Sequence, residues 1–192
     1  MATLTDQSIN GLRNAMAGSY AAFEDVQRAL ESQASVAEST AVTASSTETL
    51  FSTSYSIPAN TLRAASVVKI RYQGIATATN ATDTLQVILR IGGVAGTALL
   101  TGTATDVANN AIFAGEFTLV VRTAGSSGTM VGYGTHTDVP AASGTAVHDI
   151  TETLASTALD TTIAQVVGVT ATWSTTNAGN SCRLDILVVE IN

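Results

Sequence analysis

The chain has 192 residues, of which 45% are hydrophobic but only 5% aromatic and 12% charged, against about 25% charged residues in ordinary soluble domains. Its net charge is −7, and its eight cationic residues, with Lys69 the sole lysine, are scattered along the sequence. That pattern excludes a nucleic-acid binder built on clustered cations facing phosphates, and the single cysteine, Cys182, excludes an internal disulfide and a cysteine-rich metal centre.

Thr, Ser, Ala and Gly take the place of the missing charges. An exterior so poor in charge is expected to be partly covered by partner molecules. Mean hydropathy is +0.29, yet no run approaches the ~18 apolar residues that cross a bilayer. The first twenty residues have no basic stretch followed by an apolar one, as an export signal would require. The expectation is a protein with no membrane partner, assembled in a cytoplasm.

Residues 5 to about 35 read as a helix. Thr5 suits an N-cap, with Asp6 in the first turn where the helix dipole favours an anion. Apolar residues recur at Ile9, Leu12, Met16, Phe23, Val26 and Leu30, which fits the a and d positions of a heptad. Ser19 and Gln33 interrupt the seam, Gly11 and Gly18 weaken the helix, and Ala15, Ala22 and Ala29 widen its apolar side. Self-association as a coil and docking on a broad surface both fit. These six apolar residues are the expected assembly interface.

Residues 36–48, rich in Ser, Thr and Ala, have no apolar periodicity and no Gly or Pro. They are expected to form an extended arm. The chain thus divides into residues 1–48, helix and arm, and residues 49–192.

From residue 49 onward, short β-favouring runs alternate with turn residues. Strands are predicted at 50–57, 67–77, 84–91, 97–101, 112–123, 129–134, 146–153, 163–173 and 183–191. Turn signals separate them, including Pro58-Ala59-Asn60, Gly92-Gly93, Asn109-Asn110 and the Gly125 to Gly128 segment. This pattern without intervening helices predicts a mainly β fold, an antiparallel sandwich or barrel. The last run, Ile186 to Ile191, is almost continuously apolar and predicts a strand covered on both faces or facing a neighbouring subunit. Cys182 falls in an alternating run and is expected in the core.

The order of these elements resembles the jelly-roll domains of tailed-bacteriophage virion proteins, of the head decoration and head-fibre type. The resemblance rests on Ile57-Pro58-Ala59-Asn60-Thr61-Leu62 leaving the first strand and on the strand from Val67 to Tyr72 with Gly74. It continues through Asp83-Thr84-Leu85 to Ile91-Gly92-Gly93, through Phe117 to Thr129, and through Val169-Thr170-Ala171-Thr172-Trp173 before the final strand. It implies a jelly-roll-like antiparallel β-sandwich preceded by an N-terminal α-helix, and it supplies no catalytic residues. It also implies a homotrimer whose partners are other virion proteins, such as the major capsid protein.

No catalytic constellation stands out. His136 and His148 have no serine on a sharp turn beside them, since Ser126 and Ser127 between Gly125 and Gly128 do not match a nucleophile elbow. His136 and Asp138, two apart on one strand face, offer two metal ligands without a third. Asp106, Asn109 and Asn110 lack calcium-loop spacing and read as a solvated loop. Glu116, Asp149, Glu152 and Asp185 are not paired by the sequence. Trp173 is expected in the core or at a subunit contact, with a sugar-stacking platform as the lesser alternative.

The expectation is therefore a non-enzymatic structural protein of a virion, a capsid decoration or head-fibre protein, with no cofactor, metal or nucleic acid. The alternative is a tail-fibre or baseplate module that binds a host receptor or glycan, with Tyr133 and Trp173 as its aromatic candidates.

Overall fold

The computed structural model describes residues 32–34, 37–79, 82–107, 109–138 and 148–192. Twelve strands are present among them: β1 (Ser32–Ala34), β2 (Val42–Thr43), β3 (Thr49–Ile57), β4 (Val67–Thr77), β5 (Thr84–Ile91), β6 (Thr97–Thr101), β7 (Thr105–Asp106), β8 (Ala111–Thr123), β9 (Thr129–Asp138), β10 (His148–Ala158), β11 (Gln165–Trp173) and β12 (Ser181–Ile191). The larger sheet has seven strands in the order β1-β12-β4-β8-β9-β10, with β2 also paired to β12. The smaller has five, β3-β11-β5-β6 with β7 on β5. Every pairing is antiparallel.

The chain switches sheets repeatedly: β2, β4, β8 and β12 lie in the larger sheet, while β3, β5, β6 and β11 lie in the smaller. That interleaving makes a jelly-roll-like sandwich, with β9 and β10 extending the larger sheet beyond β8. A two-face pattern directs each strand. In β4, Val68, Ile70, Tyr72 and Ala76 point into the core, and Lys69 and Arg71 point out. Phe51, Phe117, Leu119, Val169, Trp173 and Leu184 fill the space between the sheets. Gly115 permits one contact there, since a Cβ on it would sit 2.4 Å from the Tyr72 ring.

The predicted bounds of β4, β5 and β6 coincide with the structure. The predicted strands at 129–134 and 146–153 continue to Asp138 and Ala158. Ser32–Ala34, placed at the end of the helix by the heptad pattern, instead pairs with Val188 to Glu190 at the edge of β12. Ile9, Leu12, Met16, Phe23, Val26 and Leu30, and with them the remainder of the predicted helix, lie outside the described residues.

The almost unbroken apolar run of β12 has a local cause. Leu184 pairs with Gly74 and Ile186 with Gln73, so Asp185 is an extra residue in a bulge. The bulge shifts the alternation by one position. Leu187, Val189 and Ile191 stay in the core, and Ile186 is left 45% exposed on the outer face. This strand is thus covered on one face within the chain.

Residues 37–48 form an extended arm that joins the sheets. Ser39 donates its N–H to the Leu184 carbonyl at 2.7 Å and accepts the Leu184 N–H on Oγ at 2.8 Å, which satisfies the backbone at the bulge. Farther along, Ala44 donates to the Asn180 carbonyl and Trp173 donates its N–H to the Ser45 carbonyl. Glu48 then pairs with Arg90, at 2.5 and 2.9 Å, and accepts from Thr170 Oγ1 on the outside of the smaller sheet.

Candidate functional site

Polar side chains border a small cavity inside the sandwich and a depression on its surface. The inner cluster is built by a register row in which Tyr72 of β4, Gly115 of β8 and His136 of β9 stand side by side. Because Gly115 has no side chain, the Tyr72 ring crosses it and its hydroxyl meets His136 Nδ1 at 2.8 Å. His136 Nε2 lies 3.0 Å from Asp138 Oδ1, close enough for an ion pair but misaligned for a hydrogen bond. Asp138 Oδ2 accepts from Thr105 Oγ1 of β7 at 2.9 Å. With the carboxylate facing Nε2, the neutral imidazole places its proton there, and Nδ1 accepts from the tyrosine.

This chain of bonds joins the two sheets. It includes the His136–Asp138 pair expected from the sequence, and both side chains are buried. Burial, reinforced by the charges of Asp138 and Glu152, pushes the Tyr72 hydroxyl well above the usual phenol range, so it remains a donor. The adjacent cavity is about 10 Å³, the lower limit for one water molecule, and is too small for a substrate. Among the described residues, no group of three or more His, Cys, Asp or Glu is placed to hold a metal ion. We assign the inner cluster a structural role.

The other candidates are dispersed. Glu152 faces inward from β10 and accepts the Thr101 N–H at 2.7 Å, closing the sandwich between β6 and β10. Asp185 sits in the β12 bulge beside Arg183. Asn109 and Asn110 form an exposed turn, and the side chains of His148 and Asp149 lie outside the described residues. Cys182 is buried, and burial pushes its thiol up to about 12. Trp173 is 1% exposed, with Nε1 donating to the Val42 carbonyl. That burial removes it as a sugar platform.

The surface cluster lies on the outer face of the larger sheet. Register aligns Lys69, Thr118 and Tyr133 in one row and Arg71, Glu116 and Thr135 in the next. All six are at outward positions, and Tyr133 is 61% exposed, more than any other large hydrophobic side chain described. The backbones of Ile70, Phe117 and Gly134 floor a depression of about 160 Å³ between them. A second groove of about 400 Å³ shares Arg71, Glu116 and Thr135 with the first and extends toward Gln73, Ile186 and Val188. Together they form one continuous concavity, the second part of which has the volume of an ordinary ligand site.

A scan against models of protein families and a search of the curated proteins both return no match. Among solved structures, the chain is similar to the carbohydrate recognition domain of Emp47p, at 7% identity and a TM-score of 0.29, over 83% of this chain and 88% of that one. It is also similar to the winged bean acidic lectin complexed with methyl-α-D-galactose, at 11% identity and a TM-score of 0.30, over 84% and 100% of the two chains. A family 18 polysaccharide lyase aligns at 8% identity and a TM-score of 0.33, over 84% and 89%. At these scores the likeness is one of stacked antiparallel sheets and bears on neither ligand nor activity.

The outer face was not legible as a site in the sequence. Tyr133 stood out as an aromatic near a loop, but Lys69, Arg71 and Glu116 come from strands about 45 residues apart in the chain. Only the register of β4, β8 and β9 brings them together.

Proposed function

We propose that this chain is a non-enzymatic structural protein of a tailed-phage virion, a capsid decoration or head-fibre protein that works by multimeric assembly. It assembles in the host cytoplasm as a homotrimer on a lattice of the major capsid protein. The observation that carries this reading is the anchoring of the arm. Main-chain bonds from Ser39, Ala44 and Ser45 secure residues 37–48 to both sheets, and β1 pairs with the edge of β12. Force on the N-terminal segment therefore passes into the body of the sandwich instead of a slack linker. The low charge content supports a surface covered by neighbours.

In this reading Ile9, Leu12, Met16, Phe23, Val26 and Leu30 form the contact that trimerises the chain or docks it on its partner. Replacing both Phe23 and Val26 with Asp places two charges in that contact. The double variant is expected to fold as a sandwich but to be missing from purified particles. Incorporation at the level of the unaltered chain contradicts the reading.

A second reading, a tail-fibre or baseplate module that binds a host receptor or glycan, is favoured by one observation. The most exposed large aromatic among the described residues, Tyr133, lies in a surface depression beside charged groups that form no ion pair among those residues. The two readings predict different abundance, with many copies on the capsid for the first and a few at the tail for the second.

A further inference from the structure

Three charged side chains stand close together on adjacent strands of the outer face of the larger sheet. Arg90 pairs with Glu48, and Arg183 with Glu38 and Asp185. Lys69, Arg71 and Glu116 have no such pair among the described residues, although Arg71 and Glu116 are directly opposed across β4 and β8. The sole lysine of the chain is thus two residues from an arginine on one strand face, in the same depression as the most exposed aromatic ring among the described residues.

We propose that this depression binds an acidic saccharide, a pyranose bearing a carboxylate, and that the adjoining groove takes the next residues of its chain. Tyr133 presents a flat apolar ring to the C–H face of the sugar. The Arg71 guanidinium offers two parallel donors matched to a carboxylate, and Lys69 adds a second positive charge. Glu116 accepts from sugar hydroxyls, while Thr118 and Thr135 donate or accept as required. In the register Glu116 opposes Arg71 and Glu190 of β12 opposes Lys69, so this face carries two cations and two carboxylates. Selection of an acidic ligand over a neutral one therefore rests on the directed donors of the Arg71 guanidinium and not on net charge. The groove lined by Gln73, Ile186 and Val188 accounts for an oligosaccharide in preference to a single ring.

This inference rests on the recognition reading of the face and is independent of incorporation into particles. The full chain is titrated by calorimetry at low salt with a tetrasaccharide containing glucuronate. Parallel titrations use the same tetrasaccharide with its carboxylates reduced to alcohols, and inorganic phosphate. The acid form is expected to bind with a Kd of about 1 mM or tighter, weakening as salt rises. Tyr133→Ala should weaken it by about tenfold, Tyr133→Phe should retain it, and Arg71→Ala should remove the preference for the acid. All three side-chain changes are at exposed positions, so an unchanged thermal melt verifies the fold. No binding of the acid tetrasaccharide overturns the proposal, as does equal binding of the reduced form or of phosphate alone. An affinity untouched by both Tyr133→Ala and Arg71→Ala overturns it as well. Binding by a chain that remains outside particles would retain this site and reject the assembly reading.

Discussion

Tyr72 and Gly115 act as one unit, because the ring occupies the space that a side chain at 115 would fill. A Cβ at that position would stand 2.4 Å from the ring and its hydroxyl, and overpacking of this kind costs about 1–3 kcal/mol. Gly115→Ala should lower the urea midpoint accordingly, and an unchanged midpoint contradicts the packing. Tyr72→Phe leaves the ring but strips His136 Nδ1 of its donor, a loss of about 1–3 kcal/mol for a buried group without its partner. Cys182 adds a dependence on alkaline pH. Its ordinary value is 9.0, and burial raises it to about 12 in the folded chain. Below pH 9 the thiol is protonated in both states and has no effect. Above pH 9 the unfolded state loses a proton that the folded state keeps, so stability falls by up to about 1.4 kcal/mol per pH unit until pH 12. Tyr72 acts in the same direction from pH 10 upward. Denaturant curves between pH 8 and 11 should show that decline, with a shallower one in Cys182→Ala. Little of this was visible in the sequence, where His136 and Asp138 read as two ligands lacking a third and Gly115 fell without comment inside the strand predicted at 112–123.

Strands with clean alternation were legible, and those whose inner face is polar or glycine-rich were not. The bounds of β4 and β5 followed directly from Val67 to Thr77 and Thr84 to Ile91. The second half of β9, with Gly134, His136 and Asp138 facing inward, lacks the apolar signal of a strand. It is one because Phe117 packs over Gly134 and because His136 and Asp138 find partners inside. Ser32–Ala34 read as the end of a helix, and their pairing with β12 left no mark in the sequence, since edge pairing leaves no periodicity in a three-residue segment. Ser39 carries the arm's attachment, and Ser39→Ala should cost about 1–3 kcal/mol by leaving the Leu184 N–H without an acceptor. At the far end of the arm, burial opposes ionisation of Glu48, but bonds from Arg90 and Thr170 outweigh it and hold its carboxyl below the ordinary value of 4.5. A lowered folded value contributes stability above that ordinary value, and the contribution is lost as pH falls through the folded one. Glu48→Gln should therefore flatten the acid limb of a stability curve. A limb of unchanged steepness would place the acid sensitivity elsewhere.

Taken as a whole, the described residues form a jelly-roll-like sandwich in which the buried Tyr72–His136–Asp138 cluster joins the two sheets and the most exposed described aromatic lies on the outer face of the larger one. The sandwich follows from turn spacing and β-favouring runs, which a single sequence displays. The proposed recognition face follows from register, which a single sequence conceals. The two surfaces have separate tasks in this account: the N-terminal segment anchors, and the outer face of β4, β8 and β9 remains free to meet a ligand. Imaging the assembled particle by electron cryomicroscopy tests this division most directly. The account predicts sandwiches in many copies on the capsid lattice, held by their N-terminal segments, with Tyr133 directed away from the shell. A particle without this chain, or one in which Tyr133 and Arg71 are buried against the capsid, would contradict it.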